Sequence, residues 1–230
     1  YSLDFLAAAV ACCQRYGVLV IFDEIAVGFG RTGTMFVCQA LQARAATLCP
    51  DFLCLSKGLT AGYLPMSCVM TTQAVYDGFY DARLERGFLH SHSFTGNPLA
   101  AAAALASLDI FANDDVLTRN QALIARMAQG LQALARQYPD RVALTRQTGM
   151  IAAFSLMTDK QNTDAQAARA LARYCLQHGV LIRPIGAQVY LMPPYSTTLA
   201  ELDTVFGVLL DALAALDISH LPPMDTVHLA

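Results

Sequence analysis

Val18-Leu19-Val20-Ile21-Phe22-Asp23-Glu24 is the stretch that decides the fold class. Five apolar residues run without a break and stop at two carboxylates. A strand apolar on both faces belongs to a sheet covered on both sides, as in α/β proteins, rather than to a sheet with one wet face. It is entered from a helix: over Tyr1–Tyr16, Leu3, Leu6, Val10 and Cys13 share one face, and Gly17 ends it. Further on, Phe52–Leu55 is a second short apolar strand ending at Ser56-Lys57-Gly58, and Leu64–Thr71 is a third, after a turn at Gly62. Asn97-Pro98 then opens an alanine-rich helix to about Phe111, with Asn97 as cap and Pro98 in the first turn.

Past Phe111 the composition shifts. Asn113-Asp114-Asp115 caps a longer amphipathic helix to about Tyr138, and Val142–Met157 holds strand-like pieces. Thr163 with Gln166 reads as a capping box opening a helix to His178, and Thr198 with Glu201 as another, opening a last helix to Asp217. Gly179–Arg183 and Gln188–Met192 are predicted strands between them. The sequence thus divides into residues 1–111, part of an α/β domain with a mostly parallel sheet, and residues 112–230, a small α+β domain.

Composition narrows the function classes. Of 230 residues, 55% are hydrophobic and 14% charged, which excludes a disordered tail or linker. A net charge of -3 gives no electrostatic reason to expect nucleic acid or an anionic membrane as partner. Apolar runs such as Pro98–Leu108 are far short of the ~20 residues that cross a bilayer. The start shows no basic segment followed by an apolar one, so a cytoplasmic location is expected. Seven cysteines without a CxxC pair fit reduced thiols rather than a disulfide framework. Low charge density and a first residue that is not methionine lead to one more expectation: part of the surface is covered by a partner or by further chain.

Gly28-Phe29-Gly30-Arg31-Thr32-Gly33 formally matches GxGxxG, and Asp51 lies 18 residues past its last glycine. The match fails on physical grounds. A dinucleotide loop follows its strand directly, so that a helix N-terminus faces the pyrophosphate. Here Asp23–Val27 intervene, and the two carboxylates would repel a diphosphate. A turn-forming glycine loop is the expected role.

Asp23 and Lys57 are the informative pair, since each closes an apolar strand and open α/β sheets bind ligands at the carboxyl ends of their strands. A lysine forms a Schiff base with a carbonyl. If that carbonyl belongs to pyridoxal phosphate, an anionic side chain is needed at the pyridine nitrogen, to keep it protonated and the ring an electron sink. The alternative is that both residues are solvated strand ends.

The wording around this pair settles more than its spacing. Asp23-Glu24-Ile25-Ala26-Val27-Gly28-Phe29-Gly30-Arg31-Thr32-Gly33 and Leu55-Ser56-Lys57-Gly58-Leu59 resemble the class III pyridoxal-phosphate-dependent aminotransferases, of fold type I. Two further segments, His90–Pro98 and Gly179–Tyr195, occur in the family's order and spacing. The resemblance implies pyridoxal 5'-phosphate as cofactor, Asp23 at its pyridine nitrogen and Lys57 as the Schiff-base lysine. Ser93 stands where the family usually has a threonine that binds the cofactor phosphate across a homodimer interface. Arg183 matches the arginine that grips the substrate carboxylate, a task suited to a bidentate guanidinium. Arg31 lines the substrate side or braces the glycine loop by an ion pair; Tyr190 walls the pocket or belongs to the core. Val27 replaces a common threonine. His90 and His92 shape the phosphate loop and are not read as metal ligands, since no Cys or carboxylate joins them at ligand spacing.

The wording of Gly179–Tyr195 is most similar to the branch of the family that aminates 8-amino-7-oxononanoate in biotin synthesis, which implies S-adenosylmethionine as amino donor. Two alternatives stay open: another class III transaminase acting on an ω-amino acid or diamine, and a non-catalytic chain. The second arises because the family's N-terminal segment, roughly half of the full enzyme, lies outside this sequence. That segment carries the backbone loop that cradles the phosphate and the aromatic that stacks on the ring.

Overall fold

The computed structural model describes residues 1–157 and 165–216. The chain forms two units, divided between Leu117 and Thr118.

In the first unit, helix α1 (Leu3–Arg15) begins at Ser2, whose hydroxyl accepts from the Phe5 amide at 3.2 Å, and ends before Gly17, at φ +65°. It packs Val10 against Leu41 and Leu48, with Leu3 and Leu6 alongside. The apolar run becomes strand β1 only over Ile21–Asp23. Just before it, Val20 is held to Asp51: its amide donates to the Asp51 carboxylate at 2.7 Å, and its carbonyl accepts from the Asp51 amide at 2.8 Å. Asp51 is therefore a strand-entry clamp at the amino end of the sheet, on the far edge from the glycine loop.

Helix α2 (Val37–Gln42) leads to strand β2 (Phe52–Leu55), which pairs parallel with β1 in the register Ile21↔Phe52 and Asp23↔Cys54. Strand β3 (Cys68–Thr71) joins β2 antiparallel, giving the order β1-β2-β3. The parallel character thus lies in the β1–β2 pair. A parallel return needs a crossover of a dozen or more residues, usually a helix. The link from β2 to β3 holds only one 3₁₀ turn, Lys57–Thr60, so the chain folds straight back. Ile21, Val69 and Met70 are all more than half exposed, so the described residues do not supply the cover that apolar strands require. Helix α3 (Gln73–Phe79) follows, and α4 (Pro98–Asn113) starts as read from the sequence, the Asn97 side chain accepting from the Leu99 amide at 3.0 Å.

Helix α5 (Val116–Gln137) carries the chain across the division. The second unit is an antiparallel meander, β4 (Val142–Thr148), β5 (Ile151–Leu156) and β6 (Gln188–Leu191), with a bulge between Ala143 and Arg146. Helices α6 (Ala165–Gln177) and α7 (Leu199–Ala215) complete it. Its core is continuous, from Met127 and Leu134 through Phe154 and Leu171 to Leu209 and Leu213, all fully buried. A Cβ at Gly130 would sit 2.4 Å from the Phe206 ring, so α5 and α7 meet there only because residue 130 is glycine.

Two local expectations change. Gly179–Arg183 is not a strand: Val180 and Ile182 turn inward and Leu181 is 81% exposed, yet no neighbouring segment among the described residues offers a ladder. The Thr163–Gln166 capping box lies partly outside the described residues, as does Asp217. No helix among the described residues is long and apolar enough to cross a membrane.

Candidate active site

The parallel register carries the site. Asp23 is the last residue of β1, opposite Cys54, and Lys57 follows the end of β2 by two residues. Acid and lysine therefore leave adjacent parallel strands at the same, carboxyl, edge of the sheet. Both are exposed there, and the Asp23 carboxylate accepts the local Ile25 amide, at 3.1 Å.

Lys57 itself has φ +39°, in the left-handed region that a side chain enters at a cost of roughly 1–3 kcal/mol. Among the described residues five non-glycines have positive φ, and three of them, Phe29, Lys57 and Ala61, lie in the glycine loop and the lysine turn. Strain is thus concentrated where the sequence places the chemistry. The turn is held by its surroundings: Ser56 Oγ donates to Met66 O at 2.7 Å, Thr60 Oγ1 to Leu64 O at 2.6 Å, and Ser107 of α4 to Gly58 O at 3.1 Å.

The amides of the loop's three glycines are taken up by nearby backbone carbonyls. Gly28 N donates to Glu24 O at 2.9 Å, Gly30 N to Met35 O at 3.2 Å and Gly33 N to Gly30 O at 3.0 Å. Its work is packing. Phe29 is 3% exposed and lies so close to the lysine turn that a Cβ on Gly58 would meet its Cβ at 2.8 Å and its ring at 2.9 Å. Arg31 sits half-buried in this loop.

Ser93 lies in an exposed loop before α4, and its hydroxyl has no hydrogen-bond partner among the described residues. The loop is shaped by its neighbours: His92 Nδ1 accepts from the Phe94 amide at 3.1 Å, and Thr95 Oγ1 from the His92 amide at 3.1 Å. Among the described residues no group of His, Cys, Asp and Glu side chains could hold a metal ion.

Arg183 and Tyr190 belong to the second unit. They line one cavity of about 650 Å³, together with Met192, Pro193 and Pro194. The Arg183 side chain is exposed and has no hydrogen-bond or ion-pair partner among the described residues, and Tyr190 is half-buried on β6. An unpaired guanidinium in a largely apolar cavity suits a carboxylate ligand.

One residue was not singled out from the sequence. Glu24 is 2% exposed, and its carboxylate accepts from the Val37 amide at 2.9 Å and the Cys38 amide at 3.3 Å, at the start of α2. Burial pushes its carboxyl above the ordinary glutamate range, and the two amides offset part of that rise. The only signal in the sequence is an acid immediately past an apolar strand, which reads equally well as solvated.

The donor set fits pyridoxal phosphate. A carboxylate and a primary amine share one sheet edge, as a pyridinium and an aldehyde on one ring would need, and the Ser93 hydroxyl is open to an anion. The glycine amides of the 28–33 loop, already bonded to backbone carbonyls, offer that phosphate no cradle.

Known proteins bear on the same residues. The family model of class III aminotransferases matches residues 1–213. The chain is 39% identical over 216 residues to an adenosylmethionine-8-amino-7-oxononanoate aminotransferase from Helicobacter pylori, covering 93% of this chain and 48% of that one. The same-named protein of Geobacter sulfurreducens is 41% identical over 205 residues, 86% of this chain and 44% of its own. Among solved structures, that of the Methanocaldococcus jannaschii enzyme of this name superposes with a TM-score of 0.85 at 34% identity, covering 93% of this chain and 49% of the other. A PLP-bound amine transaminase from an uncultivated Pseudomonas species superposes with a TM-score of 0.83 at 33% identity, covering 92% and 48%. The chain spans about half the length of the curated relatives it matches. Motifs, fold and the family model over nearly the whole chain agree: the chain belongs to the class III aminotransferases.

Proposed function

We propose that the protein carrying this chain is a pyridoxal-5'-phosphate-dependent transaminase of biotin synthesis, converting 8-amino-7-oxononanoate to 7,8-diaminononanoate with S-adenosylmethionine as amino donor. The observation that carries the reading is the β1–β2 register, which leaves Asp23 and Lys57 at one sheet edge. The names borne by the relatives at 39% and 41% identity support the substrate pair.

When bound, the cofactor serves as the electron sink that lets a Cα–H bond break and an amino group be stored between half-reactions. Asp23 provides the anion that holds a proton on the pyridine nitrogen. Lys57 Nζ would hold the cofactor aldehyde and would move the Cα proton as base and then acid. Ser93 donates its hydroxyl to the phosphate across a homodimer interface. The exposure of its loop, with Phe88, Leu89 and Phe94 beside it, supports a covering partner. Arg183 binds the carboxylate of 8-amino-7-oxononanoate, Tyr190 walls that pocket, and Arg31 faces the substrate from the glycine loop. In this reading residues 1–111 are the C-terminal part of the cofactor domain, residues 112–230 are the small domain, and the protein works in the cytoplasm.

A second reading, an ω-amino acid or diamine transaminase, is favoured by the amine transaminase that superposes almost as well. A donor assay on the intact protein decides between them. Amination of 8-amino-7-oxononanoate with S-adenosylmethionine, abolished by Lys57→Ala, is the expected outcome. Use of pyruvate or glutamate without S-adenosylmethionine would overturn the biotin reading and leave the second.

A further inference from the structure

We propose that Glu24 is the positioning residue of this site, joining the end of β1, the glycine loop and α2 into one block that fixes Asp23 and the Lys57 turn. The proposal rests on the reading of Asp23 and Lys57 as cofactor residues.

Glu24 uses every polar atom it has. Its amide donates to Cys54 O of β2 at 3.0 Å, and its carbonyl accepts from Gly28 of the glycine loop at 2.9 Å. Its carboxylate takes the Val37 and Cys38 amides of α2, at 2.9 and 3.3 Å. Three segments distant in sequence or direction are thus tied through one residue. The fit is close, since a Cβ on Gly28 would lie 2.9 Å from Glu24 O.

From Glu24 the contacts run to the lysine. Val37, which it holds, follows Phe36, and the Phe36 ring meets Phe29 edge-on, with centroids 5.3 Å apart. Phe29 in turn abuts Gly58, the residue after Lys57. The other direction is shorter, because Asp23 is the preceding residue on the same strand. Alternation along the strand turns Asp23 out to the sheet edge and Glu24 into the interior. Two neighbouring carboxylates thereby serve different ends, one at the proposed cofactor position and one beneath it.

A burial of this kind is not explained by capping α2. Helices of six residues are ordinarily capped by a local Ser, Thr, Asp or Asn whose side chain stays near water. An ionised carboxylate taken into the interior loses several kcal/mol of hydration unless its partners make up for it. No Lys or Arg pairs with Glu24 among the described residues. The Lys57 turn, with its positive φ, is the kind of strained segment that persists only where surrounding structure over-determines it.

The test compares Glu24→Gln, which keeps the volume, with Val10→Ala in α1, which loosens the same unit from outside the block. Two readouts are taken on the intact protein: amide hydrogen exchange, and the pH at which the absorbance of bound pyridoxal phosphate changes. Glu24→Gln is expected to speed exchange at Val37 and Cys38 and also at Gly58 and Leu59. It is further expected to move the absorbance midpoint and to weaken pyridoxal phosphate binding about tenfold, the scale of a lost hydrogen bond to a charged group. Val10→Ala, at a matched loss of thermal stability, should leave the midpoint unmoved. Faster exchange confined to Val37 and Cys38, or a midpoint that follows stability alone in both variants, would overturn the proposal. If the unmutated protein takes up no pyridoxal phosphate, the aminotransferase reading fails by itself. The exchange arm then still decides whether Glu24 fixes the turn.

Discussion

The two units differ in how their apolar surface is spent. Ten of the twelve largest fully buried side chains belong to the second unit; the first contributes Leu41 and Glu24, one of them a carboxylate. Conversely, all the large hydrophobics exposed among the described residues lie in the first unit, save Leu144, Leu176, Leu181, Ile185 and Leu199. The second unit closes a core of its own. The first is organised around hydrogen-bonded turns and small clusters, with its strands left uncovered. The continuous core lies in one unit and the proposed cofactor chemistry in the other.

The sharpest way to break this comparison is to cut into the better core. Phe154 is fully buried at the centre of β5, surrounded by the second unit's helices. Phe154→Ala removes its ring and leaves a cavity, at a cost of about 3–5 kcal/mol. Denaturant melts read through Tyr174 and Tyr190 in this unit should show the full loss. Should Phe154→Ala cost less than 1 kcal/mol, the second unit is not the stable one.

Gly58→Ala probes the opposite case, a small change in the less covered unit. The added methyl meets the Phe29 ring at 2.9 Å, and the side chain is itself enclosed by Leu55, Leu59 and Ala104. Overpacking of this kind costs about 1–3 kcal/mol. Here the displaced residue is Lys57, so affinity for pyridoxal phosphate should fall more steeply than the melting temperature. Equal affinity in Gly58→Ala and the unmutated protein would mean that Phe29 does not position the turn.

The same contrast separates what the sequence discloses from what it conceals. Strand β2 is found at its true bounds because both ends are written locally, by Asp51 before it and Ser56-Lys57-Gly58 after. Asn97-Pro98 marks α4 for the same reason. Helix α2 escapes because its first amide is held by Glu24, 13 residues earlier, and its N-cap residue, Phe36, has no side-chain oxygen to announce it. The contact of Phe29 with Gly58 is equally invisible, since neither residue carries a pattern that names the other. Gly179–Arg183 has the alternation of a strand but no neighbour to pair with among the described residues, and a ladder needs two chains. Of the candidate site, the arginine is legible only through the family resemblance, and the acid and the lysine as punctuation at the ends of apolar runs. The residue proposed to position Asp23 and Lys57 is not, because its role exists only in three dimensions.

The smallest expected effect tests the most legible feature of the stable unit. Thr198 Oγ1 accepts from the Glu201 amide at 3.2 Å, and the Glu201 carboxylate returns to the Thr198 amide at 2.7 Å, holding the Glu201 carboxyl below the ordinary glutamate range. Thr198→Ala removes the hydroxyl but leaves the returning carboxylate bond, so the loss is about 1 kcal/mol. The sign of the pH dependence follows from Glu201. Its folded-state affinity for a proton is lowered, so its contribution is present above the unfolded glutamate pKa and fades as pH falls through the lower folded value. The Thr198→Ala penalty, measured by denaturant at neutral pH and again in acid, should therefore shrink in acid, where the box is already half undone. A penalty that is unchanged there would place the Thr198 hydroxyl outside the box and make the α7 terminus depend on packing alone.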